Sequence, residues 1–232
     1  MKDDERDSGH PAGSPVWDLP LRLTHWALVV TVAGAWATHY AGTRWFEWHE
    51  RLGYASLVLV TFRIAWGFVG TRHARFASFL RGPGAVVAYL RRRDGVEPAG
   101  HNPLGGLSVI AMLVLLLFQA VTGLFANDEI ANAGPFYGWI SQQTSNRITA
   151  LHKANSELLL VLLGLHLAAI AWYGLVRRQP LVQAMLTGRK PVPPEAGIDG
   201  SRVGLAIAIV AALAAALALA IRAAPEATVT LF

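Results

Sequence analysis

The chain has no cysteine. Disulfides, thiolate metal sites, iron–sulfur clusters and covalent c-type attachment through Cys-x-x-Cys-His are therefore excluded within it. Methionine is nearly as scarce: Met1, Met112 and Met185 form no run of soft ligands. Histidine, with eight copies, is the only strong soft ligand left. Charge is also sparse, at 15% of residues against 53% hydrophobic, and the mean hydropathy is +0.39. Those values belong to a membrane protein; a soluble core is the poorer reading. No internal repeat recurs at a fixed period. The net charge of +5 and isoelectric point near 10.0 would suit a nucleic-acid binder. In a membrane protein basic cytoplasmic loops explain the same excess more simply, so no nucleic-acid partner is expected.

What is present is a set of apolar runs. Met1 to Pro15 is charged, Gly/Pro-rich and aperiodic, which predicts a disordered tail. Apolar stretches follow at 24–41, 50–70, 105–126, 149–176 and 203–221, each near or above the roughly 20 residues that cross a hydrocarbon core of about 30 Å. The first could be mistaken for a cleaved signal peptide, but it is long for one and cleavage would discard His25. Residues 191–202 form a Pro/Gly-rich linker, and 222–232 a short outer tail. The predicted fold is an all-α integral membrane protein, with a four-helix transmembrane bundle over 16–190 and a fifth C-terminal transmembrane helix. That last span, rich in alanine and free of ligands, suits close packing against another helix, in this chain or in an oligomeric partner.

Basic residues predict the orientation. Arg72, Arg75, Arg81, Arg91, Arg92 and Arg93 lie between spans two and three, and Arg177, Arg178, Arg189, Lys190 and Arg202 between spans four and five. With Lys2, Arg6 and Arg22 they put fourteen cations on one side, against Arg44, Arg51, Arg147, Lys153 and Arg222 on the other. The richer side should be cytoplasmic, placing the N-terminus inside and the C-terminus outside.

The fourth run, LHKANSELLLVLLGLHLAAIAWY, carries His152 and His166 fourteen residues apart. At about 100° per residue they share nearly one helix face, about 21 Å apart along the axis. The predicted topology sets His25 and His166 at the cytoplasmic level and His49 and His152 at the outer one. Imidazoles at membrane depth are costly and usually serve a site. Two bis-histidine levels without cysteine fit two b-type haems better than zinc, which would want about four protein ligands per structural site. Small residues such as Gly34, Ala35, Gly53, Gly164, Ala168 and Ala169 would leave room for a flat macrocycle, or simply let helices pack. His39, fourteen residues after His25, lets spacing alone assign both levels to span one. Each lone histidine also has a bland reading as a solvated side chain at a helix end.

VWDLPLRLTHW, HERLGYASLVLVTFRIAWGFVG, ARFASFLRGP, GHNPLGG, TGLFANDE, LHKANSELLLVLLGLHLAAIAWY and MLTGRK, in that order, make the chain resemble the dihaem cytochrome b subunits of nickel–iron hydrogenases and related bacterial cytochromes b. The resemblance covers about three-quarters of the chain and leaves the fifth span unexplained. It implies axial ligands at His25, His49, His152 and His166, paired His25 with His166 and His49 with His152, and reduces His39 to a neighbour. It also implies electron transfer between the quinone pool and a periplasmic redox protein, a hydrogenase or a c-type cytochrome.

Arg63, fourteen residues after His49 and inside span two, is expected to meet a propionate of the inner haem, with snorkelling as its alternative. Gln119 and Thr122 could hydrogen-bond a quinone, but bonding between helices is the simpler expectation. His101, just before span three, could help a quinone or propionate site but reads more simply as a turn residue, and Trp26 and Trp66 read as belt or packing residues. Gly82 to Arg93 suits a short interfacial helix. The outer loop 127–147, with Asp128 and Glu129, could meet a periplasmic partner. Two rival functions stay open: a metal transporter, which should show clustered carboxylates or Met/Cys ligands, and a bare membrane anchor, which would need no matched histidines.

Overall fold

The computed structural model describes residues 13–91, 98–130 and 132–225. Eight α-helices run through them: α1 Leu19–Tyr40, α2 Phe46–Val69, α3 Phe76–Phe79, α4 Pro83–Arg91, α5 Pro103–Gly123, α6 Gln142–Leu175, α7 Leu181–Thr187 and α8 Val203–Ala223. α1 packs along α2, α2 along α5, and α5 along α6, while α8 lies against α2 and α1.

Four helices are long and apolar enough to cross a membrane: Thr43–Val69, which includes a 3₁₀ turn before α2, then α5, α6 and α8. α1 has 22 residues but falls outside that set, because Thr24, Thr31, Thr38, His25 and His39 dilute its apolar stretch. Large apolar side chains point outwards along these helices, among them Val30, Leu165, Leu167 and Leu219. Such surface is stable only against lipid, and helices satisfy their own backbone groups there.

Hydropathy locates the elements but misplaces some ends. α6 starts at Gln142, seven residues before the predicted Thr149, because Ser141 caps it and its first two turns are polar. α5 starts after Asn102, whose side chain accepts the Gly105 N–H at 2.7 Å, with Pro103 in the first turn.

The tail expected over 1–15 needs correcting at its end. Residues 1–12 lie outside the described residues, but Ser14–Pro15 form β1 and pair antiparallel with β2, Arg189–Lys190. Next to this ladder, the amides of Val16 and Trp17 both donate to the Gly188 carbonyl. Gly188 has φ of 82°, and a Cβ there would come within 2.8 Å of the Trp17 carbonyl, so only glycine fits both demands. The predicted linker 191–202 is likewise engaged: Arg72 and His73 donate to the carbonyls of Glu195 and Ala196. Arg202 donates to the Val69 carbonyl. The N-terminal segment, the α2–α5 connection and the α6–α8 connection thus meet at one end of the bundle.

That end holds the packed core, formed by Val16, Trp17, Leu21, Phe62, Trp66, Ala74, Ala184 and Ala206. Its polar centre is Asp18, 1% exposed. As N-cap of α1 it accepts the Leu21 N–H at 2.7 Å, the Trp66 indole N–H at 3.1 Å and the Thr71 hydroxyl. Asp18 followed by Pro20 is a helix-start signal, but its bond to Trp66, 48 residues away, has no local signature. Asp18→Ala would leave three buried donors unanswered. We expect a loss of about 3 kcal/mol or more, with Asp18→Asn between it and the native protein in a detergent thermal melt.

Candidate functional site

At the end opposite the packed core, α2 and α6 bring His49 and His152 together with ring centres 6.4 Å apart. A metal bonded to two opposed imidazole nitrogens at about 2 Å each would set the ring centres roughly 6 Å apart. The His49 Nδ1–H donates to the Ala35 carbonyl of α1 at 2.8 Å. A carbonyl can only accept, so the proton is on Nδ1 and the lone pair on Nε2. This backbone bond is the usual orienting partner of a ligating histidine.

His152 is held from α5: its Nδ1 lies 3.0 Å from the Gln119 carbonyl and 3.1 Å from Thr122 Oγ1. Gln119 and Thr122 therefore bond between helices, as expected, and their polar atoms are already engaged with α6 and with helix carbonyls. One turn after His49, a Cβ added at Gly53 would meet nothing within 4 Å, so the helix face beside the ligand has room for a flat group. Gly164 is equally open, whereas Gly34 faces Leu52. The residues fit a bis-histidine haem.

His39 stays close. Its ring centre is 5.9 Å from that of His49, and its side chain is exposed at the end of α1. The ring partner of His152 is His49.

The second pair lies towards the packed core. His166 of α6 lies near enough to His25 of α1 to act on it electrostatically. His25 is braced by the edge of Trp26, ring centres 5.2 Å apart, and its buried Nδ1 has no hydrogen-bond partner. Arg63, 6% exposed, also has both terminal nitrogens buried and unpartnered, and its guanidinium sits 5.3 Å from the Phe76 ring centre. A guanidinium left this way at depth is expensive unless an anion answers it. The same end of the bundle collects Lys190 and Arg72, so with Arg63 it is electropositive apart from Asp18.

His101 is more than a turn residue. It is sandwiched between Trp17 and Phe79, ring centres at 4.7 and 4.6 Å, with Nδ1 buried and unpartnered. Burial first, then the charges of Arg63 and Lys190, push its pKa down to about 3. A depressed folded pKa favours the neutral ring. Its contribution to stability is therefore present above the ordinary value near 6.5 and is lost as pH falls from there towards 3. Acid titration of the melting temperature should show that decline, and His101→Phe should flatten it.

Sequence reasoning missed Asp18 and Asn155 here, and for His101 it preferred the blander of two readings. Asn155 was legible in principle, since it is a polar residue three positions after His152 on the face that the structure turns towards α5. Among the described residues, no three His, Cys, Asp or Glu side chains converge as a metal-ion cage.

Apolar helices with histidines brought together between them define a membrane bundle of the kind that holds haem. The sequence profile of prokaryotic cytochrome b561 matches residues 16–188. Relatives named probable Ni/Fe-hydrogenase B-type cytochrome subunit match along most of the chain. That of Rhizobium leguminosarum bv. viciae is 23% identical over 75% of this chain and 87% of its own length. That of Azotobacter chroococcum is 26% identical over 75% and 86%, and that of Rhodobacter capsulatus 25% identical over 75% and 80%. No solved structure matches. The chain belongs to the prokaryotic cytochrome b561 family. It is a multi-pass bacterial membrane protein that transfers electrons through b-type haem.

Proposed function

We propose that the protein carries two b-type haems at two depths and passes electrons across the inner membrane between the quinone pool and a periplasmic redox protein. His49 and His152 would hold the outer haem, and His25 and His166 the inner one, with Arg63 answering an inner propionate. The observation that carries this reading is the outer pair: two imidazoles from different helices, 6.4 Å apart, each anchored through Nδ1. The fourteen-residue spacing on α6 then supplies the second level at the end where the terminal nitrogens of Arg63 have no hydrogen-bond partner.

α1 completes five spans in this reading, since 22 helical residues rise about 33 Å. The basic connections gathered at one end suit the cytoplasm, which puts the N-terminus inside and the C-terminus outside. The relatives' names support a hydrogenase as the periplasmic partner. The outer loop with Asp128 and Glu129 is the surface available to it, and a c-type cytochrome is the alternative.

Haem b, when bound, supplies one-electron chemistry; the chain fixes the irons, tunes their potentials and excludes water. Two centres divide one bilayer-wide transfer into shorter hops. Neither level needs a nucleophile or a general base.

Pyridine haemochrome analysis of the purified protein, expressed with ample haem, tests the proposal. A ratio of two haems per chain is expected. A ratio near one removes a level, and a colourless protein reduces it to a membrane anchor.

A further inference from the structure

Gln119 and Asn155 lie outside the proposed ligand set, yet they control the nitrogen that set requires of His152. Hydrogen-bond directions between α5 and α6 can be assigned in sequence from a fixed acceptor. Asn155, 7% exposed, places its amide nitrogen 3.0 Å from the Leu115 carbonyl, which orients that amide. Its other N–H reaches Gln119 Oε1 at 2.7 Å. Gln119 must then turn its own nitrogen away, and that nitrogen is 2.9 Å from His152 Nε2. The N–H of Gln119 donates to an Nε2 lone pair.

The opposite side of the ring gives the same answer independently. Thr122 Oγ1 is 2.7 Å from the Phe118 carbonyl, so the hydroxyl hydrogen is spent there. Thr122 Oγ1 and the Gln119 carbonyl can therefore only accept from His152, whose proton must sit on Nδ1. Both routes leave Nε2 as the bare nitrogen, the form that binds iron.

We propose that Gln119, oriented by Asn155, is a placeholder for the outer haem iron. It holds His152 in the ligating tautomer and rotamer before haem enters, and yields Nε2 when haem binds. This inference rests on the proposed outer site and deepens it. An ordinary bond between helices would need only some polar group at 119. A placeholder needs a donor, because an acceptor at Nε2 would recruit a proton onto the very nitrogen that must ligate.

Gln119→Glu and Gln119→Leu separate the two roles. The full chain is expressed under ample and limiting haem, and each variant is scored by haemochrome stoichiometry and redox titration. Gln119→Glu should leave about one haem per chain, with the inner centre's potential unchanged. Gln119→Leu and Asn155→Leu should reach two haems with ample supply, but with about tenfold weaker outer occupancy under limiting haem. His152→Ala is the reference for the site itself. If it loses no haem, the outer-site reading fails. If it loses one while Gln119→Glu keeps both at native occupancy, the placeholder alone is overturned. Should Gln119→Glu not accumulate, native occupancy of both leucine variants under limiting haem overturns it equally.

Discussion

His166→Ala and His152→Ala are each expected to leave a protein with one haem per chain, and the haem lost should differ between them. The two side chains share α6 fourteen residues apart, about 21 Å along the axis, so no single haem spans both. In the proposed arrangement, removing either imidazole would take away one of the two histidines that would hold one haem and would leave the other level intact. His166→Ala should therefore erase the inner potential in a redox titration and His152→Ala the outer one. His25→Ala should reproduce the first pattern and His49→Ala the second. His39→Ala should keep both haems, because the ring beside His152 is that of His49. The decisive contrary result is specific: if His39→Ala costs a haem and His49→Ala does not, the outer ligand on the α1–α2 side is His39. The 5.9 Å between those rings makes this the comparison most worth running first.

The helices were legible in the sequence because lipid imposes one simple demand, a run of apolar residues long enough to cross. That rule located α2, α5, α6 and α8 but said little about their ends, where Ser141 and Asn102 override hydropathy by capping. The same rule is weakest at α1, whose polar residues meet partners inside the bundle: Thr31 accepts a hydrogen bond from Ser56 of α2 at 2.9 Å. Histidine positions were legible as depths, since topology and a 1.5 Å rise convert residue number into height. Lateral relations were not. Nothing local in His101 announces an aromatic slot between Trp17 and Phe79, residues 84 and 22 positions away. Nor does Asp18 announce Trp66. The end of the tail was misread for a related reason. Pro/Gly-rich composition signals the absence of regular helix, yet Ser14–Pro15 pair with a distant strand and the carbonyls of Glu195 and Ala196 accept from the side chains of Arg72 and His73, contacts that composition does not encode.

Arg63→Met should act with opposite signs on the haem-free and the haem-bound protein. The guanidinium is buried, both its terminal nitrogens lack a hydrogen-bond partner, and its support comes from the face of Phe76 and the more distant charge of Asp18. Desolvation outweighs the attraction of Asp18, so replacing this incompletely compensated buried charge by an apolar side chain of similar length should let the variant melt higher without haem. With haem present the balance reverses, because the propionate then loses its charge-assisted partner. An unanswered carboxylate near the inner iron favours the ferric state. The inner midpoint potential should fall, on the order of 50–100 mV, given 59 mV per tenfold for a one-electron couple and a charge-assisted bond of about 1.5–3 kcal/mol felt only in part by the iron. Arg63→Lys should fall between the two, since an ammonium keeps the charge but not the planar fork. The outer potential should not move, which separates a local electrostatic role from general damage. If Arg63 instead snorkels to the interface, both potentials and the haem-free melt should match the native protein, and the propionate assignment is lost.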